Sequence, residues 1–394
     1  AAERLRAAMT ESVRLRLQSE VPLGAFLSGG VDSAIVCALM RQASNSAVRT
    51  FTIGFGDALY DESAEAAATA RHLGTEHATL RVEPQAVDIL PKLAWHYDEP
   101  FADSSALPTW YLAEMTRRHV TVALSGDGGD ELFLGYPRYR AVALGAAFDR
   151  LPKLLRKAIG SSLWQRLPAP ANRRSRLHRA KKLLAALPLS PARRYLEWIA
   201  IFTETQRAEL YTDDFLASLP DSDPAEFVID AWRRAAAVAR GAPAVAGLTD
   251  LITYLPGDLM TKVDLATMAH GLECRQPFLD HRVVELAVSM PAHYRFRRGR
   301  GKHILRAAFG DLLPASLFAR RKRGFGVPLA RWFREDLASF TKEILLDEQT
   351  TARGYLRRDA VTRLLEEHAT GRAEHGDRLW ALLMLELWMR EWSS

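Results

Sequence analysis

The sequence predicts an α/β fold, in which a parallel sheet is flanked by helices and followed by a largely helical C-terminal part. Three observations predict this class. Short apolar runs alternate with helical stretches over residues 21–150, two of these runs end in glycine-rich turns, and the pattern from residue 226 onward is nearly all helical. Strands that alternate with helices form parallel sheets with right-handed crossovers, and ligands bind at the carboxyl ends of such strands.

The chain opens on a predicted amphipathic helix at 1–20, whose apolar residues recur at four-residue steps from Leu5 to Leu17. An apolar run at 21–27 then ends in Ser-Gly-Gly, which is typical of a buried strand that enters a glycine turn. An apolar, helix-forming segment follows at 33–41. The first unit is therefore a strand, a glycine loop and a helix.

The same alternation continues along the next hundred residues. Further strands are predicted at 48–55, 77–82 and 120–124. Helices are predicted at 61–73, 85–97 and 108–118. The fourth strand also runs into a glycine-rich turn, so we expect both glycine turns to lie at the ligand-binding edge of the sheet.

The chain divides into four parts by pattern. They are the N-terminal helix at 1–20, the α/β core at 21–150, a basic helical insertion at 151–245 and a helical region at 246–394 that completes the site. The basic stretch at 151–182 lacks the interleaved aromatic residues of a nucleic-acid stacking platform, which favours a solvated helical face.

Composition bounds the class of protein. The chain has 394 residues, of which 48% are hydrophobic and 25% charged, which is ordinary for a globular protein. The net charge of +6 suits an anionic ligand such as a nucleotide, but it also suits nucleic acid. The two cysteines lack the spacing of a metal site or a disulfide framework and fit a reducing cytosol. No stretch approaches the roughly 18 apolar residues of a membrane helix.

The loop at 28–33 reads Ser-Gly-Gly-Val-Asp-Ser and is the strongest functional signal. Adjacent glycines let successive backbone amides curl around an anion, and the following helix offers its positive end. Ser28 and Ser33 can donate hydroxyl groups to phosphate oxygens. Asp32 suits a phosphate site only with a divalent cation between them, which predicts Mg²⁺. The alternative is an ordinary strand-to-helix turn capped by Ser or Asp.

The second glycine loop, at 125–131, reads Ser-Gly-Asp-Gly-Gly-Asp-Glu. Its three carboxylates repel one another unless a metal ion or a cationic group is present. A second set of metal ligands that faces the first loop is the simplest explanation. The alternative is a polar turn before a helix whose N-terminus favours acidic residues.

Basic residues that could neutralise the charge of a triphosphate lie far downstream in the sequence. One basic stretch covers 295–306, and a second, Arg-Arg-Lys-Arg at 320–323, precedes a hinge-like Gly-Phe-Gly at 324–326. A lysine on such a loop can close over a leaving pyrophosphate and stabilise developing charge. For most of these arginines the alternative is a solvated basic surface.

Four segments, in this order, resemble those of asparagine synthetases. The loop at 28–33 is similar to the pyrophosphate loop that asparagine synthetase shares with GMP synthetase, NAD synthetase and argininosuccinate synthetase. The segment LSGDGGDELFLGY at 124–136, the segment at 258–281, and the segments at 302–306 and 321–328 resemble the remaining signatures of asparagine synthetases. The resemblance implies a PP-loop ATP pyrophosphatase fold of the adenine nucleotide α-hydrolase type.

The resemblance also implies roles for individual residues. The ATP and pyrophosphate site would comprise Leu27, Ser28, Gly29, Gly30, Asp32, Ser33, Ile53, Ser125, Gly126 and Lys302. Asp32 and Asp130 would hold Mg²⁺ on the phosphates. Lys322 would stabilise the adenylation transition state, with Asp127 as a second catalytic group. The acyl substrate pocket would include Lys262, Asp264, Glu273 and Arg275.

The implied enzyme is an AMP-forming carbon–nitrogen ligase. It would convert the side-chain carboxylate of aspartate into β-aspartyl-AMP with release of pyrophosphate, and ammonia would then give asparagine and AMP. A ligase of the same fold that acts on another carboxylate, such as a β-lactam synthetase or a peptide macrolactam cyclase, remains open. Two departures from the family pattern are Asp127, where many members carry Glu, and Leu134, where Gly is usual.

The resemblance implies partners as well. Full members of the family begin with a catalytic cysteine that hydrolyses glutamine, whereas this sequence has no cysteine before Cys37. We therefore expect an N-terminal glutaminase domain or a partner protein to supply ammonia. We also expect a cytoplasmic protein, possible assembly into a homodimer, and neither membrane nor nucleic acid as a partner.

Overall fold

In the computed structural model, which describes residues 1–57, 60–82, 86–159, 176–319 and 326–392, the centre of the fold is a five-stranded sheet. Its strands are β1 (Leu23–Phe26), β2 (Arg49–Phe55), β3 (Glu76–Val82), β4 (Val122–Leu124) and β5 (Glu273–Arg275). They lie in the order β3-β2-β1-β4-β5, and all neighbours are parallel. The chain therefore leaves the central strand β1 toward β2 on one side, and β4 lies on the other.

The helices alternate with the strands at first and then dominate. Those of the first half are α1 (Ala2–Arg16), α2 (Val31–Ala43), α3 (Ser63–Leu73), α4 (Ala86–Tyr97), α5 (Ala106–Arg117), α6 (Gly129–Leu132), α7 (Pro137–Asp149), α8 (Lys153–Ile159), α9 (Arg176–Ala186), α10 (Pro191–Ile199), α11 (Glu204–Leu210) and α12 (Asp213–Ser218). Those of the second half are α13 (Glu226–Val238), α14 (Ala242–Ile252), α15 (Thr261–Met268), α16 (His281–Ser289), α17 (Ala292–Arg295), α18 (His303–Phe309), α19 (Ala315–Ala319), α20 (Leu329–Trp332), α21 (Ala338–Leu346), α22 (Glu348–Ala352), α23 (Arg358–Ala369) and α24 (Gly376–Trp392). A π-helical turn at Leu255–Met260 precedes α15, and a 3₁₀ turn at Pro277–Leu279 precedes α16.

Two apolar cores cover the two faces of the sheet. Ala25 and Leu124 belong to one core, which also contains buried residues of α1, α2 and α18. Phe51 and Ala123 belong to the other core, together with buried residues of α5. Successive strand residues point to opposite faces, so neighbours such as Ala123 and Leu124 serve different cores. Apolar residues on both faces explain why these strands read as continuous apolar runs.

Helix α2 is buried on all sides, since every residue at 32–40 is buried. An almost wholly apolar helix of this kind is stable only inside a core. Burial raises the pKa of the Cys37 thiol to about 12, so this cysteine is an inert packing residue. The packing fixes α2, and with it the N-terminal turn that follows the first glycine loop.

The chain forms two units, each built from three separate segments. The sheet unit comprises Ala1–Glu83, Ser105–Leu144 and Asp230–Gly326, and the helical unit comprises Pro84–Ser104, Gly145–Ile229 and Val327–Ser394. Within the helical unit, α24 packs against α4, α20, α21 and α23, with Trp332 and Trp380 fully buried. The four-part division by chain order stays a prediction.

The predicted fold class is confirmed. The four predicted strands match β1 to β4, and the predicted helices match α1 to α5, with differences of a few residues at the ends. The region beyond residue 226 is largely helical, as predicted, and includes one strand that the sequence did not predict, the three-residue β5, which pairs with β4. The basic stretch at 151–182 lies partly outside the described residues. Within the described ranges, no helix combines the length and apolar character needed to cross a membrane.

Candidate active site

Both glycine loops lie where the strand order reverses. The loop at 28–33 follows β1, and the loop at 125–131 follows β4, its neighbour in the sheet. Loops that leave two adjacent parallel strands toward opposite sides leave a crevice between them, and this is where open α/β sheets bind ligands. The prediction that both glycine turns lie at one edge of the sheet is confirmed.

The first loop is closed by its own hydroxyl groups. The Ser28 and Ser33 hydroxyl oxygens lie 3.0 Å apart, and the Ser33 hydroxyl also accepts from the Ser28 backbone amide at 3.1 Å. The Gly30 amide donates to the Ser28 hydroxyl at 3.1 Å. Helix α2 begins directly after Gly30, so the positive end of a 13-residue helix faces the loop. An anion at this loop would be stabilised by that helix end.

The two loops touch backbone to backbone at Gly126. A Cβ atom there would lie 2.5 Å from the Ser33 backbone nitrogen and 2.9 Å from the Asp32 carbonyl carbon. Neither backbone atom can move aside without displacing the start of α2. Glycine at 126 is therefore what allows the second loop to lie against the first.

The second loop is attached to the sheet and orders its own carboxylate. The Ser125 amide donates to the Arg275 carbonyl oxygen at 2.9 Å, which extends the β4–β5 pairing by one residue. The Ser125 hydroxyl donates to Asp127 Oδ2 at 2.8 Å, so the carboxylate has a fixed direction. Burial raises the pKa of the neighbouring Cys274 thiol, and the Asp127 charge adds to that shift. Cys274 is thus a neutral neighbour of the loop rather than a nucleophile.

The central feature of the site is Lys302, which joins the two loops. Its ammonium group lies 2.6 Å from Asp130 Oδ1 and also contacts Asp32 Oδ2. The three side chains are only 16%, 7% and 10% exposed for Lys302, Asp130 and Asp32. Two carboxylates of different loops therefore converge on one cationic position with little access to water.

The backbone around Lys302 is held firmly. Lys302 has φ +58°, in the left-handed region, at the start of α18, and its amide donates to the Phe133 carbonyl oxygen at 2.7 Å. At Gly135, a Cβ atom would lie 2.0 Å from Asp130 Oδ1 and 2.3 Å from Lys302 Cε. Glycine at 135 therefore makes the room in which the lysine stem reaches Asp130.

The residues expected to line the nucleotide pocket are buried close to these loops. Leu27 is 1% exposed, and its amide donates to the Phe51 carbonyl oxygen at 2.8 Å. Ile53 is 3% exposed in the middle of β2. Gly29 lies against α3 and its preceding residue, since a Cβ atom there would come within 3.3 Å of Glu62 and Glu65. Their contribution to ATP binding stays a prediction.

The four residues expected in the acyl pocket have different surroundings. Lys262 is buried and donates to the Ser105 hydroxyl at 2.7 Å, whereas Asp264 is exposed. Arg275 pairs with Glu273 at 2.6 Å. Its guanidinium also donates to carbonyl oxygens at the end of α1. Lys262 is therefore the member whose surroundings best suit a buried pocket.

Sequence reasoning missed a buried polar network behind the second loop. The Tyr136 hydroxyl donates to Glu131 Oε1 at 2.5 Å, and burial first, then the Glu131 charge, raises the pKa of Tyr136. The Arg138 guanidinium stacks over the Tyr136 ring at 4.2 Å and pairs with buried Asp250 at 2.9 Å. Glu131 and Tyr136 lie within the quoted motif, but no local signal could have identified Asp250 as a partner.

Lys322, the lysine expected to stabilise the adenylation transition state, lies outside the described residues, as do its neighbours at 320–325. Within the part of the chain that the structure describes, no three His, Cys, Asp or Glu side chains are arranged to hold a metal ion. The assignment of Mg²⁺ to Asp32 and Asp130 stays a prediction.

Comparison with known proteins agrees with this architecture. The chain matches the asparagine synthase family over residues 4–390. It is 32% identical to the glutamine-hydrolysing asparagine synthetase 1 of Bacillus subtilis, over 98% of this chain and 58% of the relative. It is 35% identical to a putative glutamine-hydrolysing asparagine synthetase of Mycobacterium bovis, over 98% of this chain and 57% of the relative.

A more distant relative is the amidase chyE of Penicillium rubens, at 25% identity over 93% of this chain and 58% of the relative. The chain thus spans somewhat more than half the length of the curated relatives that it matches. On the family match over nearly all its residues, the chain belongs to the asparagine synthase family.

Proposed function

We propose that this chain is the ATP-dependent ligase part of an asparagine-forming enzyme. It would adenylate the side-chain carboxylate of aspartate and transfer ammonia to the activated acyl group. The observation that supports this most is the convergence of Asp32 and Asp130, from two glycine loops, on the single cationic position of Lys302. Such an arrangement suits a polyphosphate accompanied by a cation.

The loops would bind the phosphates of ATP in the crevice. We expect the positive end of α2, together with loop amides that the Ser28 and Ser33 hydroxyl groups do not engage, to hold phosphate oxygens. We expect the ammonium group of Lys302, which contacts Asp32 beside the first loop, to donate a hydrogen bond to the departing pyrophosphate. The amides at the start of α2 are fixed by the packing of that helix, so they need little reorganisation as charge develops.

Asp32 and Asp130 fit Mg²⁺ in their donor chemistry. Mg²⁺ prefers oxygen ligands and is usually bound by one or two carboxylates together with substrate phosphates. The pair already places two carboxylate oxygens around one cation, the ammonium of Lys302. When bound, Mg²⁺ would neutralise charge on the phosphates that the loops orient.

The reaction would proceed in two steps. A carboxylate oxygen of aspartate attacks the α-phosphorus of ATP, and the bond from that phosphorus to the bridging oxygen breaks to release pyrophosphate. The nitrogen of ammonia then attacks the acyl carbon, the carbon–oxygen bond to AMP breaks, and the nitrogen loses a proton. We expect Asp127, whose carboxylate accepts a hydrogen bond from the Ser125 hydroxyl, to hold the acyl intermediate or accept that proton. Lys322 would stabilise the charge of the first step.

Ammonia would come from glutamine hydrolysed by another segment or a partner protein. The printed names of the two synthetase relatives describe them as glutamine-hydrolysing. The part they share with this chain is a little over half of their length. We expect free ammonium to support the reaction as the nitrogen source.

The test is pyrophosphate release from ATP, Mg²⁺ and ammonium, with L-aspartate or without an amino acid. We expect release that requires aspartate, with asparagine as the product. Lys322→Ala should reduce the rate by at least about 100-fold, the size of effect seen when one transition-state donor is removed. Lys342→Ala, which removes an exposed lysine of α21, is the matched control and should keep full activity.

A folded, ATP-binding protein without aspartate-dependent release would contradict the proposal. The same assay with other carboxylates that carry an internal amine would then identify a ligase of the β-lactam synthetase or macrolactam cyclase kind.

A further inference from the structure

We propose that Lys302 is an internal counter-ion that makes divalent-cation binding at Asp32 and Asp130 dependent on ATP. The inference rests on the proposed function for the location of the cation site. It assigns to Lys302 a task that differs from contacting pyrophosphate, because the lysine acts before the nucleotide binds.

The ammonium group of Lys302 contacts both carboxylates. It lies 2.6 Å from Asp130 Oδ1 and touches Asp32 Oδ2. This is the position between the two carboxylates that a divalent cation would have to occupy. The ammonium and the cation therefore compete for the same oxygens.

The charges of Asp32 and Asp130 need a compensating cation. Two neighbouring carboxylates repel each other unless a cation lies between them. With side-chain exposures of 16% for Lys302, 10% for Asp32 and 7% for Asp130, water screens this repulsion poorly. Lys302 supplies the compensating charge from within the chain, so the two carboxylates do not require a metal ion to offset their repulsion.

The backbone around Lys302 confines its side chain. The Lys302 amide is bonded to the Phe133 carbonyl oxygen, and Gly135 packs against the lysine stem. The backbone thus holds the side chain at the carboxylate pair, and a divalent ion alone offers the ammonium no new partner. The phosphates of ATP do offer one, and they also supply ligands to the incoming ion.

These contacts, charges and constraints couple the binding of the divalent ion to the binding of ATP. ATP gives the ammonium an anionic partner and frees the carboxylates, so ATP raises the affinity for the ion. By thermodynamic reciprocity, the ion raises the affinity for ATP by the same factor. Removing the lysine charge should uncouple the two.

The experiment measures Mn²⁺ binding by electron paramagnetic resonance, with and without a non-hydrolysable ATP analogue. Wild-type protein should bind Mn²⁺ weakly alone and tightly with the analogue. Lys302→Met should bind Mn²⁺ alone at least about tenfold more tightly than wild type, because a competing positive charge is gone. The gain in Mn²⁺ affinity caused by the analogue should shrink correspondingly in this variant.

Two further variants locate the ion and the charge effect. Adding Asp130→Asn to Lys302→Met should abolish the new Mn²⁺ binding, and Lys302→Arg should keep the dependence on nucleotide. Lys342→Met, a neutralised exposed lysine, should bind Mn²⁺ as wild type does. If Lys302→Met is too unstable to titrate, its melting temperature should rise with Mn²⁺ while that of wild type does not.

The proposal is overturned if folded Lys302→Met binds Mn²⁺ no more tightly than wild type. It is also overturned if the double variant Lys302→Met, Asp130→Asn still binds Mn²⁺ as tightly as Lys302→Met does. The same holds if Mn²⁺ does not change the melting temperature of Lys302→Met. These measurements contain no aspartate and need no turnover. They can therefore succeed even if aspartate-dependent pyrophosphate release is never observed.

Discussion

At the scale of single residues, Leu134 shows how a side chain can compensate for an unfavourable backbone. Its φ is +57°, in the left-handed region, which costs a residue other than glycine about 1–2 kcal/mol. The side chain is fully buried and fills the space in front of Gly247 on α14, where a Cβ atom would lie 2.4 Å from Leu134 Cδ2. Burial of a leucine contributes about 1.5–3 kcal/mol and offsets the backbone term.

This balance predicts an order of stabilities at position 134. Leu134→Ala keeps the strained backbone and loses the packing, so we expect the free energy of unfolding to fall by about 2–5 kcal/mol. Leu134→Gly loses the same packing but relieves the backbone, so it should be about 1 kcal/mol more stable than Leu134→Ala. Urea unfolding of the three proteins measures both differences. An alanine variant more stable than the glycine variant would contradict the argument.

Residue-scale prediction succeeds where the signal is local. The loops around Ser28 and Ser125 could be read directly, because glycines, hydroxyls and carboxylates fall within six or seven consecutive residues. The bridge from Lys302 to Asp32 joins positions 270 residues apart. Charge alone could not single out this lysine among the neighbouring arginines, so its partners had to come from the structure.

At the scale of elements, strands β1, β2 and β4 were predictable because they are short, largely buried runs. Strand β3 was predictable because polar and apolar residues alternate along it. Strand β5 was not, since its sequence Glu-Cys-Arg carries two charged residues and has no apolar period. It is a strand because β4 pairs with it, and in the described part of the chain it is the last strand of the sheet. Tertiary pairing of this kind overrides local propensity and cannot be seen in a three-residue window.

Helix α1 is held to β5 by Arg275. Its guanidinium donates at 2.8 Å to the carbonyl oxygens of both Arg16 and Gln18, at the end of α1. Carbonyl groups in the last turn of a helix lack partners within the helix, so an external donor stabilises that end. This contact predicts a structural task for a residue that the sequence placed in the acyl pocket.

We expect Arg275→Met to lower the free energy of unfolding by about 1.5–3 kcal/mol, the usual range for hydrogen bonds with a charged partner. The KM for aspartate should stay unchanged in the folded variant. Arg117→Met is the matched control, because that exposed arginine donates to a single carbonyl oxygen, of Gly271. A raised KM with unchanged stability would contradict the structural assignment and place Arg275 in the acyl pocket.

At the scale of the whole molecule, the sequence revealed the α/β class but not how the units are assembled. Each unit takes three segments of the chain, and the segment Asp230–Gly326 belongs with the sheet although it follows a long helical stretch. The reason is physical: α16 and α18 complete the core that α1 and α2 begin, and β5 extends the sheet beside β4. The sequence shows this long-range burial only as amphipathic patterns, and such patterns do not identify which helices and strands pack together.

Stability in acid should depend on one carboxylate that ties this core together. Asp280 is 6% exposed, caps α16 and accepts from Arg282 at 2.8 Å and Arg16 of α1 at 3.0 Å. The hydrogen bonds from Arg282, and then from Arg16, hold its pKa well below the usual value. The folded state therefore binds fewer protons than the unfolded chain, so this stabilisation is present above about pH 4 and is lost as pH falls further.

We expect Asp280→Asn to lower the free energy of unfolding by about 1.5–3 kcal/mol at pH 7 and by progressively less below pH 4. Urea unfolding of both proteins across this pH range measures the difference. A difference between the two proteins that stays constant down to pH 2.5 would show that the charge of Asp280 does not hold α1 to α16.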